Sequence, residues 1–213
     1  MALINAYRMD GLGNNFLIID RRLNSLELSK KKIADLANKK VYPFDQLITL
    51  EKTNGNLYPI KIFNPDGIEV SACGNGARCV AYLISQENNQ KKVAIKTSER
   101  VLDAEIVGEK NVKINMGKAK FNWDEIPLSK EMNTEWVEID FVKTAFLNEP
   151  HYFGDTHGFC LNIGNPHIIY FVSDCSKINI KELGPKIENY KIFPERVNVT
   201  FATVSSDREN IKV

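Results

Sequence analysis

Apolar and polar positions alternate over short distances along most of the chain. NFLIID, QLITLE, LYPIKIFN, KVAIKT, VLDAEIV, VKINMG, VEIDFV, CLNIG, HIIYFV and RVNVTFATV are rich in β-branched residues and bounded by Asn, Gly, Pro or Asp, and they predict strands. The GEKN between VLDAEIV and VKINMG predicts an antiparallel hairpin. Three segments carry a helical period instead. Ser29 is placed to cap a helix running through Lys40, with Ile33, Leu36 and Ala37 on one face. Ile180, Leu183 and Ile187 mark a second over 176–190. In a third, over 75–87, Ala77, Val80, Ala81 and Ile84 form one face, and Cys79, Tyr82 and Leu83 fill most of the other. A helix apolar nearly all round is a buried one, so the pattern predicts a central helix wrapped by strands.

The chain also repeats itself. LGNNFLIID matches IGNPHIIYF, aligning Gly13 with Gly164. YPFDQLITL matches FPERVNVTF, aligning Pro43 with Pro194 at the same offset of 151 residues. The helix near 30–40 then falls on the one near 181–191. Two lobes of one design are expected. The boundary belongs where VKINMGKAKF gives way to the polar NWDEIPLSKEMN, giving lobes of 1–118 and 119–213.

Composition changes this picture little. Of the 213 residues, 43% are hydrophobic and 26% charged, and the formal net charge is +1, so charge drives no binding to nucleic acid or an anionic membrane. No apolar run approaches a membrane span and the N-terminus lacks a signal-peptide pattern, which predicts a cytoplasmic protein. The four cysteines, 73, 79, 160 and 175, show no zinc spacing. His151, His157 and His167 cluster in sequence without a ligand motif, so no metal is expected.

Cys73 is different. It stands directly before the third helix, in ACGNGARC. A thiol there faces unpaired N–H groups and the positive end of the helix dipole, both of which lower its pKa. Gly74 and Gly76 would let an anion approach the backbone. A thiolate acting on a small carboxylated molecule fits these residues; an inert buried cysteine in a Gly-containing turn fits them equally. Asn14, Asn64, Asn75, Asn165 and Asn198 sit beside turns, and amides that donate and accept suit an amino acid. Each taken singly is an ordinary turn residue.

GLGNNF, FDQL, FNPDGIEVSACGNGARC, INMG, IGNPH and FPERVNV, in this order, resemble diaminopimelate epimerase from about residue 3 to the last. The resemblance implies an α+β fold of two pseudo-symmetric lobes, each of mainly antiparallel strands wrapped around a central helix, the second lobe incomplete here. It implies interconversion of L,L- and meso-2,6-diaminopimelate in lysine and peptidoglycan biosynthesis, with no pyridoxal phosphate, other cofactor or metal. Two cysteines exchange protons on opposite faces of the α-carbon. Cys73 matches one of them, and His167 a histidine near the catalytic centre. Asn14, Gln46, Asn64, Gly74, Asn75, Asn165 and Asn198 match substrate-binding positions. Cys79, Cys160 and Cys175 match neither catalytic cysteine. The family is commonly dimeric, which leaves room for a homodimer. Asp10, Asn15 and Ile163 depart mildly from the family's usual residues. The family's second cysteine motif belongs after Val213, so this chain is expected to lack it and to be inactive as given. A related amino-acid racemase of the same fold, or an amino-acid-binding pseudoenzyme, is the alternative.

Overall fold

A computed structural model describes residues 4–24, 26–39, 43–53, 55–71, 73–148 and 157–213. Lys40, Tyr42 and His151, named above, lie outside them. The chain divides into two compact units, Met1–Gly117 and Lys118–Val213. Among the described residues no helix is long and apolar enough to cross a membrane.

The first unit runs β1 (Ala6–Gly11), β2 (Asn14–Asp20), α1 (Lys30–Asn38), β3 (Gln46–Leu50), β4 (Leu57–Phe63), β5 (Glu69–Val70), α2 (Gly74–Asn88), β6 (Lys92–Lys96), β7 (Val101–Gly108) and β8 (Asn111–Asn115). Its sheet has the order β1-β2-β3-β4-β6-β7-β8, with β5 paired to β4. Two neighbouring pairs are parallel, β2–β3 and β4–β6. Parallel neighbours need a long crossover, and the two helices of the unit supply them: α1 for the first pair and α2 for the second.

Strand alternation then gives the sheet two apolar faces. Phe16, Ile18, Ile48, Leu50, Ile60 and Ile62 point to one side and form a core with Ala77, Val80, Ala81 and Ile84 of α2. Ile19 and Leu47 point to the other side and pack with Ile33 of α1 and with Phe44. The hairpin expected at GEKN is β7–β8, with Lys110 in the left-handed conformation at its turn. Ser29 caps α1 by accepting from the Lys32 N–H at 3.3 Å.

The second unit runs β9 (Val137–Glu138), α3 (Asp140–Asn148), β10 (His157–Asn162), β11 (Pro166–Phe171), α4 (Ile180–Glu188), β12 (Asn198–Val204) and β13 (Ile211–Lys212), with the sheet order β13-β12-β11-β10-β9. β11–β12 is its parallel pair, and α4 makes the crossover. VEIDFV is therefore not one strand. Only Val137 and Glu138 pair, while Asp140 opens α3 and buries Val142. Ile139 and Val142 are three apart, a spacing that serves a helix as well as a loop-to-strand packing contact.

The internal repeat is a repeat of structure. β1-β2-α1-β3 recurs as β10-β11-α4-β12, each an antiparallel hairpin followed by a parallel crossover. Leu17 and Ile19, beside α1, have Ile168 and Tyr170, beside α4, at the expected 151-residue offset. The hairpin turn is where the copies differ. Gly11 pairs with Asn14 across Leu12 and Gly13, whereas the Ile163 N–H bonds the Asn165 carbonyl across Gly164 alone. Gly164 has φ 119°, a conformation that favours glycine.

Candidate active site

In the first unit Cys73, Gly74 and Asn75 stand at the N-terminal end of α2, and Asn14 is tied to them. Cys73 is the N-cap: its backbone is extended, and its Sγ accepts the Gly76 N–H at 3.4 Å. The fully buried face of α2 holds this end in place, and Asn89, in the left-handed conformation (φ 51°), closes the other. Asn75, in the first turn, donates from Nδ2 to Oδ1 of Asn14 at 2.7 Å, linking α2 to the start of β2. Arg78, one turn further on, donates to the Asn75 Oδ1. Gln46, at the start of β3, donates from Nε2 to the Asn64 Oδ1 at 3.2 Å. Two amide pairs and a thiol thus come from β2, β3, the turn after β4, and α2.

Burial pushes the Cys73 thiol above its ordinary value. The Gly76 and Asn75 N–H groups and the charge of Arg78 pull it down, but by less. The helix-terminus expectation has the right sign for those groups and misses the larger effect: Cys73 lies partly buried against the core around α2, and loss of solvent outweighs the donors. Cys73 therefore rests as a thiol with donors already aimed at its anionic form. Cys79 is pushed to about 11 and Cys160 to about 12, both by burial.

Gly74 and Gly76 separate in role. A Cβ on Gly76 would stand 2.6 Å from the Ile48 Cδ1 and 3.2 Å from the Phe16 ring. Gly76 is glycine because α2 presses on the sheet there, not because a ligand must approach it. On Gly74 the nearest contact would be the flexible Met116 Sδ at 3.3 Å.

The second unit places its three candidates at the facing ends of β11 and β12. His167 and Asn198 are directly paired across these strands. The His167 ring Nε2 lies 3.1 Å from the Asn165 Oδ1, and burial lowers its pKa, which keeps the ring neutral near pH 7. A neutral ring that donates from Nε2 keeps Nδ1 as an acceptor. Asn198 donates from Nδ2 to the Pro166 carbonyl at 3.0 Å. In register, Gln46 beside Phe16 in the first unit is matched by Asn198 beside His167 in the second. The repeat therefore puts an amide at the same strand position in both units. Among the described residues no group of three or more His, Cys, Asp or Glu side chains could hold a metal ion.

Comparison with known proteins bears on what this arrangement is for. Residues 6–122 match the family model described as diaminopimelate epimerase. The chain is 41% identical over 210 residues to the diaminopimelate epimerase of Pelagibacter ubique, covering 99% of this chain and 74% of that protein. It is 38% identical over 209 residues to that of a Wolbachia from Drosophila simulans, covering 96% and 73%. Among solved structures it resembles a predicted epimerase from Pseudomonas aeruginosa (TM-score 0.58, 12% identity, 95% of this chain and 70% of that one). It also resembles a hydroxyproline epimerase from Agrobacterium vitis (TM-score 0.52, 10% identity, 98% and 68%). The structural likenesses bear on the fold alone, and the sequence relatives carry the assignment: the chain belongs to the diaminopimelate epimerase family.

Proposed function

We propose that the protein is an amino-acid epimerase that interconverts L,L- and meso-2,6-diaminopimelate in the cytoplasm, without a cofactor, as one step of lysine and peptidoglycan biosynthesis. One observation carries the reading to this chain's own residues. Cys73 caps a largely buried helix with the Gly76 N–H at its sulfur and the Asn75–Asn14 amide pair at the helix's first turn.

The chemistry follows from that setting. With Cys73 ionised, the α-C–H bond breaks, its proton passes to the thiolate sulfur as S–H, and the electron pair stays on the α-carbon, delocalised into the carboxylate. A proton delivered to the opposite face by the family's second thiol, which is left as thiolate, completes the inversion, and in reverse the Cys73 thiol is the donor. Amide donors around the substrate carboxylate stabilise the charge that develops there. Asn14, Gln46, Asn64, Gly74, Asn75, Asn165 and Asn198 are the substrate-binding residues of this reading. Neutral His167 serves the reacting centre. The substrate is a small molecule; the working form is a homodimer that binds no nucleic acid.

The test uses the protein purified from its source cells, incubated in deuterium oxide with L,L-diaminopimelate, meso-diaminopimelate, proline and 4-hydroxyproline in turn. Deuterium should enter the α-position of the diaminopimelates alone, and Cys73→Ala should abolish it. Exchange confined to a proline substrate would overturn the substrate assignment, and exchange that survives Cys73→Ala would overturn the role of Cys73.

A further inference from the structure

Arg78 lies outside every group of residues assigned above, yet it touches one of them. It lines a cavity of about 680 Å³ bounded by β1, the β7–β8 turn and the flank of α2, together with Arg8, Asp10, Leu12, Cys79 and Lys110. From there it reaches back along one helical turn to the side-chain oxygen of Asn75. Asn75 in turn donates to the Asn14 side-chain oxygen.

We propose that Arg78 is a positioning residue that fixes the polarity of the Asn75–Asn14 amide pair, so that Asn14 presents N–H donors and no acceptor to a substrate carboxylate. This rests on the functional reading above for the identity of the substrate, but not for the relay itself.

The argument is one of donor and acceptor counting. A guanidinium has five N–H donors and no acceptor, and it is charged at every pH at which a protein is folded. An amide facing it must offer oxygen, so Asn75 turns its oxygen to Arg78 and its NH2 to Asn14. Asn14 must answer that NH2 with its own oxygen, since two NH2 groups face to face would repel. Its NH2 is then directed away from Asn75, and among the hydrogen bonds of the described residues it has no acceptor. An Asn alone can present either end to a ligand. An Asn at the end of a chain that starts on an arginine can present only one. The two amides are held as a donor surface before any ligand arrives, and the ligand class this selects is an anion with planar oxygens, such as a carboxylate. The same guanidinium is close enough to Cys73 and Cys79 to favour both thiolates, while Asp10 beside the cavity opposes it at Cys79.

Arg78→Lys, Arg78→Gln and Arg78→Glu separate these effects. Lys keeps a donor that can only donate; Gln can present either end; Glu can only accept, and so reverses the relay. The first readout is the side-chain NH2 resonances of Asn75 and Asn14, assigned by nuclear magnetic resonance and needing no substrate. Arg78→Glu should shift both, Arg78→Gln should broaden both, and Arg78→Lys should leave both near their original positions. The second is the dissociation constant for diaminopimelate by calorimetry. It should weaken about tenfold or more in Arg78→Glu, consistent with loss of a charge-assisted contact. It should change by less in Arg78→Gln and stay within about twofold in Arg78→Lys. Unmoved Asn14 resonances in Arg78→Glu overturn the relay. Moved resonances with unchanged affinity overturn its role toward the carboxylate. If wild-type protein does not bind diaminopimelate at all, the functional reading falls and the amide resonances alone judge the relay. If Arg78→Glu does not fold, the Gln and Lys variants carry the same two comparisons.

Discussion

The two units begin with the same hairpin and crossover, and they treat the two faces of the sheet differently. In the first, α1 covers one face and α2 the other, and each interface has its own buried core. In the second, the described residues form one core, on the face where Ile168 and Tyr170 meet Leu183 and Ile187 of α4. Its opposite face carries Phe159, Leu161, His167 and Ile169 outside that core, and Phe171 there is 43% exposed. The Cys73 thiol of the first unit and the His167 imidazole of the second are both half-buried, and burial disfavours the charged form of each. In the first unit it is the core packed around α2 that Cys73 lies against.

That contrast can be broken by substitution. The largest effect should come from Cys73→Ala, which removes the proposed base from the enclosed unit. α-Proton exchange should fall by about 10²–10⁴-fold, measured by deuterium incorporation. Next is packing. Ile84→Ala on α2 should cost about 2–5 kcal/mol, because the residue is fully buried between the helix and the sheet. Ile169→Ala, on the half-exposed face of the second unit, should cost under about 1 kcal/mol by denaturant titration. Equal losses would erase the distinction between the faces. Gly76→Ala sharpens the comparison. The added methyl meets Ile48 and should destabilise by about 1–3 kcal/mol through overpacking, with no need of a ligand to reveal it.

A smaller effect reads the burial of Cys73 directly. Because burial raises the Cys73 pKa above 9.0, alkylation by iodoacetamide should climb about tenfold per pH unit from pH 7 to 9 without levelling off. Cys79 and Cys160, whose pKa values are about 11 and 12, should react later in that order. A Cys73 rate that levels off below pH 8 would show a thiolate already formed, contrary to the burial argument. Ser29→Ala should cost about 1 kcal/mol through loss of the α1 cap, with no effect on exchange.

Much of this was legible in the residues and some was not, for identifiable reasons. Ser29 and Cys73 mark helix starts because caps act within three residues, a range that sequence displays. The 151-residue offset survives into the structure because the βαβ unit is also local. VEIDFV alternates like a strand and also places Asp140 like the acidic first turn of a helix, and only pairing decides between them. Gly76 looked like a ligand-approach glycine, and only the position of Ile48 shows that it is a packing one. The direction of the Cys73 shift escaped because burial is a property of the whole sheet. Arg78 was one letter in ACGNGARC, and its role depends on which end of Asn75 it meets.

The β2–α1–β3 and β11–α4–β12 crossovers have a further consequence, in the timing of assembly. The β4–β6 crossover is of similar length: 28 residues lie between Phe63 and Lys92, against 25 between Asp20 and Gln46 and 26 between Phe171 and Asn198, so closing each costs nearly the same loop entropy. What sets the β4–β6 crossover apart is that Cys73 stands inside it, at the start of α2. Refolding monitored by pulsed hydrogen exchange should protect the amides of the three parallel pairs on similar timescales. A refolding chain therefore keeps the Cys73 thiol open to reagents until the β4–β6 crossover closes.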